Sequence, residues 1–263
     1  MIAHRGDWLE GPGPLPQNSV AAVLQALDAG ADGAEVDARM TADGVIVLHH
    51  DAHLGADDAG AGCRLPSGTA ICDARANEVG HLGTLSGLLE ALAEWAGRGA
   101  GAGEEAPVLN VELKDLPGEP GWDAGYHLVH DVARLLVEAG AGEWPGPRGG
   151  APVRVPVRVI VSSFDPAALA ELRRLAPGLA TGLLLAPGAD WRATFSGAVG
   201  LRAVNPADAD AGPELFAAAS AAGLAVVPWT VDDPARAAAL GAMGAAGVIT
   251  NRPRSVLAAL GRS

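Results

Sequence analysis

The chain is short of aromatic residues, of cysteine and of positive charge, and each shortage removes a class of explanation. Aromatics make up 4% of its 263 residues, so close packing between helices and sheet has to come from the abundant alanine and glycine. Lys and Arg number 18 against 31 acids, a net charge of -13. Nucleic acid or an anionic membrane needs a cationic footprint on its partner, so neither is expected as one. Only Cys63 and Cys72 occur, with no C-x-x-C, and two reduced thiols are the expectation. No run reaches the roughly 18 apolar residues of a membrane span. The opening Met1-Ile2-Ala3-His4 has neither a basic nor an apolar leader segment, so a soluble, cytoplasmic protein is expected. Also missing are a Ser-His-Asp constellation, a P-loop, a G-x-G-x-x-G after a strand, and any internal repeat. There is no signal of oligomeric state.

What remains is an alternation of short β-type runs and Ala/Leu-rich helical runs, the pattern of a parallel sheet with crossover helices. At 49% hydrophobic residues, the chain suits one large α/β domain spanning 1–263. Strands are expected at Ile2–His4, Gly33–Arg39, Val45–His49, Val108–Leu113, Val157–Ser163, Thr181–Leu185, Arg202–Asn205, Ala225–Thr230 and Val248–Thr250. The first helix is expected over Ser19–Ala29 with Asn18 or Ser19 as its N-cap, and a later one capped by Thr84 or Ser86 and running to about Trp95. Only Met40 to Gly44 separates the second and third strands, too little for a parallel crossover, and Asp43-Gly44 is hairpin chemistry. The third strand should therefore fold back antiparallel, leaving eight parallel strands. A turn centred on Ala42-Asp43 pairs Thr41 with Gly44 and sets Glu35 opposite His50. Residues 51–84 read as a small insertion, while Gly97–Gly103 and Gly140–Pro156 read as irregular connections.

Several strand-like runs end in reactive side chains. Glu35 and Asp37 project from one face of a strand because side chains alternate. Two parallel carboxylates repel, and the natural occupant between them is a hard divalent cation, Mg²⁺ or Ca²⁺. The competing reading is a pair of solvated surface acids, but the run from Gly33 to Ala38 offers little other polarity. Asn110, Glu112 and Lys114 share a face of the next apolar strand. Either Glu112 and Lys114 pair with one another, or Glu112 is a third metal ligand and Lys114 a phosphate contact. His4 and His50 are either satisfied core histidines or proton-transfer groups, and both stand where barrel enzymes place catalytic residues. The remaining histidines lack such placement; His127 and His130, at i and i+3, read as a solvated helix face, the alternative being a metal pair. Phe164 and Trp229 are plain core or an apolar wall for substrate, and Asn251 reads as the start of a turn.

Taken in order, Ile2–Gly6, Pro16–Ala22, Gly30–Asp51, Asn110–Lys114, Ser162–Asp165, Thr181–Leu185, Pro228–Asp233 and Gly247–Pro253 resemble segments of the glycerophosphodiester phosphodiesterase family. The resemblance implies a (βα)₈ TIM barrel with a small inserted cap after the hairpin. It implies His4 as base, His50 as acid, one divalent cation on Glu35, Asp37 and Glu112, and phosphate contacts from Arg5 and Lys114. The reaction implied is hydrolysis of a small-molecule glycerophosphodiester to glycerol 3-phosphate and an alcohol. Where the family usually has Pro-Glu-Asn, this chain has Pro16-Gln17-Asn18, so Gln17 and Asn18 are expected behind the ligands, one negative charge short. The other outcomes are a lysophospholipase D-type enzyme, favoured by an apolar cap, and a non-catalytic phosphodiester-binding relative, favoured by loss of a ligand or histidine. No ligand or histidine is lost, and the inserted segment is rich in Gly and Asp.

Overall fold

The computed structural model describes residues 1–56, 58, 63, 65–98, 106–140, 157–192 and 200–262. Their strands are β1 (Ile2–His4), β2 (Gly33–Met40), β3 (Ile46–Leu48), β4 (Val108–Leu113), β5 (Arg158–Ser163), β6 (Ala180–Leu185), β7 (Ala203–Pro206), β8 (Ala225–Val226) and β9 (Ile249–Thr250). They form one nine-stranded sheet in the order β8-β7-β6-β5-β4-β2-β1-β9, with β3 on β2. Every pairing is parallel except β2 with β3. The two ends of that order meet: Ala246 N donates to Val226 O (2.9 Å), Ile249 N to Pro228 O (2.9 Å) and Val231 N to Ile249 O (2.8 Å). The eight parallel strands therefore close into a (βα)₈ barrel.

All nine expected strands are present. β8 stops four residues early because Pro228 has no N–H for the ladder, although the chain runs on to an isolated bridge between Ala207 and Trp229. Helices follow the strands: α1 (Val20–Asp28), α2 (Leu85–Gly97), α3 (His127–Glu138), α4 (Pro166–Leu175), α5 (Pro213–Ala221), α6 (Pro234–Ala242) and α7 (Pro253–Ala259). Ser19 and Thr84 cap α1 and α2 by accepting from Ala22 N and Gly87 N, as the sequence suggested. α4 to α7 each begin on proline, whose missing N–H costs nothing in a first turn.

Val36, Ala38, Val111, Leu113 and Val161 pack outward against Leu88, Leu92, Val129, Leu136 and Leu172 of the helices. Alternation then turns Glu35, Asp37, Asn110, Glu112 and Lys114 into the barrel. Tight strand approach depends on Gly33, where a Cβ would sit 2.1 Å from Val108 O. Gly33→Ala is expected to destabilise the fold by about 1–3 kcal/mol, read from the shift of a urea unfolding midpoint. An unshifted midpoint would contradict the close packing.

The hairpin forms, but in a different register. Ala38 pairs with Leu48, Arg39 with Val47 and Met40 with Ile46. Thr41 N donates to Val45 O, and Gly44 takes φ +79°, so the turn has three residues, Ala42-Asp43-Gly44, rather than two. Glu35 consequently does not face His50; Asp37 O accepts from His49 N (3.0 Å) and His50 lies beyond β3. The inserted segment builds on the hairpin, with Leu54, Ile71, Ala74 and Val79 gathered around Val47 as a small separate core. Of the two irregular connections expected, residues 99–103 and 141–156 lie outside the described residues.

Candidate active site

Register assembles the site. β1 sets His4 beside Glu35, and β4 sets Asn110 beside Glu35 and Glu112 beside Asp37. Glu35, Asp37 and Glu112 each offer an oxygen within 4.8 Å of the others, and all three are buried. Burial, then the charges of Asp37 and Glu112, push the Glu35 carboxyl well above its ordinary range. Burial likewise lifts Glu112, to about 7, against the pull of Lys114. Asp37 goes the other way: burial opposes its charge, but Lys114 and Arg5 bring it down to about 2. Glu35 Oε1 is buried without a hydrogen-bond partner. Three crowded oxygens, two of them on carboxyls that resist ionisation, fit a hard divalent cation. Among the described residues no other group of three metal-ligating side chains comes this close.

The cations lie against this acid. Lys114, the chain's one lysine, places Nζ 3.0 Å from Asp37 Oδ1 and hydrogen-bonds Glu112. The mutual pairing weighed for Glu112 and Lys114 thus occurs inside the cluster. Arg5 has φ 58°, a left-handed conformation unusual for a non-glycine residue. That turn lets its N–H donate to Glu35 Oε2 (3.1 Å) while Nε lies 3.0 Å from Asp37 Oδ2. Asn18, at φ 60°, holds Asp37 from behind: Nδ2 donates to Oδ2 (2.8 Å) and Oδ1 accepts from Asp37 N (3.0 Å). Gln17 Oε1 accepts from Arg5 Nη1 (2.7 Å), so the amide still seats the guanidinium. Of the three non-glycine residues with positive φ among the described residues, Arg5 and Asn18 touch the carboxylates and Tyr126 does not; backbone strain at such a cluster is characteristic of functional sites.

Through Asn251, which reads from sequence as the start of a turn, the structure fixes His4. Its Nδ1 is 2.7 Å from Asn251 Oδ1, and Asn251 Nδ2 donates to Asp232 Oδ2 (3.0 Å). Asp232 accepts only, so it fixes which way the Asn251 amide faces. Asn251 Oδ1 must then receive a hydrogen from Nδ1, which leaves Nε2 bare, 3.8 Å from Glu35 Oε2. Burial, followed by the Arg5 charge, lowers the His4 imidazole to about 4. The arrangement presents a neutral imidazole as a proton acceptor. Only the closing of β9 beside β1 brings Asn251 there, and the nearest local signal was its place at a strand's C-terminal end.

His50 is half-exposed, its Nδ1 2.7 Å from Asp51 Oδ1. Burial and Lys114 lower its pKa, and Asp37 acts in the opposite sense. Phe164 and Trp229 meet edge to face at 5.5 Å, with Trp229 Nε1 donating to Asn205 O. Four of the other five histidines pair elsewhere: His127 with Asp123, His130 with Glu171, and His49 and His81 with Asp58. Cys63 and Cys72 are both free.

Residues 4–119 and 149–255 match the glycerophosphoryl diester phosphodiesterase family. A glycerophosphodiester phosphodiesterase of Caldanaerobacter subterraneus subsp. tengcongensis is 26% identical over 98% of this chain and 96% of its own length. Among solved structures, a Silicibacter pomeroyi protein assigned to the same family superposes with a TM-score of 0.75 at 27% identity, covering 100% of this chain and 94% of that one. An Oleispira antarctica phosphodiesterase, solved with its product sn-glycerol-3-phosphate, shares the fold with a TM-score of 0.72 at 20% identity over 99% of this chain and 96% of its own. A barrel closed in this way, with strand ends carrying these side chains in this order, has a consistent set of relatives: the chain belongs to the glycerophosphoryl diester phosphodiesterase family and is a phosphoric diester hydrolase.

Proposed function

We propose that this chain, acting as one domain, hydrolyses glycerophosphodiesters to glycerol 3-phosphate and an alcohol by paired histidine proton transfers beside a divalent cation. The observation that carries this is the bare His4 Nε2 standing next to three converging carboxylates. When bound, Mg²⁺ or Ca²⁺ held by Glu35, Asp37 and Glu112 would offset charge on the phosphodiester. Arg5 and Lys114 orient the phosphate, and Phe164 and Trp229 wall its carbon skeleton. His4 Nε2 takes the proton from the attacking hydroxyl as the new O–P bond forms: water gives glycerol 3-phosphate directly, whereas the glycerol hydroxyl gives a cyclic phosphate that a second attack, by water, opens to glycerol 3-phosphate. His50 gives a proton to the departing alkoxide as the old P–O bond breaks. Asp51 steadies the charged form of His50, and its exposure lets it recover a proton from solvent. Asn251, oriented by Asp232, keeps His4 in the tautomer that accepts at Nε2.

The substrate class is tested by offering glycerophosphocholine, glycerophosphoethanolamine and lysophosphatidylcholine in parallel. Turnover of the two water-soluble diesters should exceed that of the lysolipid; preference for the lysolipid would favour the lysophospholipase D reading, and no turnover of any diester would leave a binding protein. Gln17→Glu is expected to change kcat modestly, within about tenfold, because its contact with Arg5 is exposed and solvent-screened. Steady-state kinetics across a metal titration checks this. A gain of several orders of magnitude would mean that an essential charge is missing from this chain.

A further inference from the structure

A second constellation, with different donors, lies outside the acidic site. His49 Nε2 is 3.2 Å from Asp58 Oδ2, and His81 Nε2 is 3.5 Å from Asp58 Oδ1. His49 Nδ1 lies 2.9 Å from Asp51 O. A carbonyl only accepts, so Nδ1 carries the hydrogen, and Nε2 meets the carboxylate oxygen either through a second proton or with a bare lone pair. In the second case two electron-rich atoms face each other and need a cation between them. His81 is the independent sign: its side chain is 8% exposed, and neither ring nitrogen has a hydrogen-bond partner. Gly55 N donates to Asp58 Oδ2 (2.7 Å) and holds the carboxylate in place.

We propose that His49, Asp58 and His81 form a binding site for a borderline transition-metal ion of the Zn²⁺ type, separate from the hard-cation site. Two imidazoles and one carboxylate make an N₂O set, which selects such ions over Mg²⁺ or Ca²⁺. The His49 Nδ1–H bond to a backbone carbonyl is the usual support of a metal-ligating imidazole. The imidazoles meet opposite oxygens of Asp58, and the three donors do not yet lie within 4.8 Å of one another. Loading therefore requires side-chain rotation to bring both rings to one point. The ion would tie the inserted segment to the end of the hairpin and to the approach to α2, next to His50. The rival occupant of the His49–Asp58 gap is a proton, which would make the cluster a simple ionic clasp.

Metal-stripped protein saturated with Mg²⁺ is titrated with Co²⁺ and read by visible absorption and bound-metal analysis. One equivalent of Co²⁺ with the intense bands of a low-coordinate, nitrogen-ligated ion is expected, displaced by Zn²⁺. His81→Ala and Asp58→Asn should each weaken binding at least tenfold, while Glu112→Gln leaves the bands in place. Asp58→Asn keeps the shape of the side chain and so decides the matter even if His81→Ala fails to fold. Absence of the bands in the wild type, their persistence in Asp58→Asn, or their loss in Glu112→Gln would overturn the proposal.

Discussion

His4→Ala is expected to lower kcat by about two to four orders of magnitude, the usual weight of a positioned proton-transfer group, while KM changes little. In the proposed mechanism the imidazole touches the reacting hydroxyl chiefly as the transition state forms, and an interaction made only there is lost from kcat. Arg5 and Lys114, the proposed phosphate contacts, are untouched by the change. Asn251→Leu should reproduce part of the loss, about tenfold, because the ring remains but either nitrogen can then carry the hydrogen. Steady-state kinetics with folding checked by circular dichroism reads both; unchanged kcat in His4→Ala would remove His4 from the reaction. The pKa of His4 sets a condition on that role. Its folded value, about 4, lies below the ordinary 6.5, so the unfolded chain takes up this proton first on acidification. Stability is therefore drained as the pH falls from about 6.5 toward 4, and the ring stays available as a base above that window. An arriving anionic diester favours the protonated imidazole and moves the base back toward neutrality.

Glu112→Gln is expected to raise the metal concentration needed for half-maximal activity by more than about a hundredfold. Disturbing the partners behind a metal ligand already costs about 10–100-fold, and here the proposed ligand itself loses its charge. The substitution preserves shape and leaves an amide oxygen beside Lys114, so folding should survive. High metal should recover part of the rate, which distinguishes lost affinity from lost chemistry. The same site predicts stabilisation of the wild type by metal, about 2.7 kcal/mol at a hundredfold excess over Kd, absent in Glu112→Gln. A variant that retains both normal metal dependence and normal metal stabilisation would place the ion elsewhere.

The barrel was legible because its signals are local. Strand ends carrying His4, Glu35, Asp37, Glu112 and Lys114, and caps such as Ser19 and Thr84, are set by the residues themselves and their immediate neighbours. The hairpin register was not, since a two-residue and a three-residue turn differ only in whether Gly44 adopts a left-handed conformation. One residue of slip took His50 away from its expected place opposite Glu35. Asn251 escaped notice because its meaning depends on barrel closure, which brings it across almost the whole chain to His4. His49 and His81 were passed over for a related reason: the inserted segment that unites them through Asp58 has no periodicity to place it. Gln17, conversely, stood out as a missing charge, and the structure gives it a plain job in seating Arg5.

The most direct test is release of glycerol 3-phosphate from glycerophosphocholine by the purified protein, measured with Mg²⁺ or Ca²⁺ and again after chelation. The account predicts turnover that chelation abolishes and added metal restores, together with loss of at least about a hundredfold in His4→Ala and in His50→Ala. Full turnover in the presence of chelator, or no glycerol 3-phosphate under any metal, would contradict it.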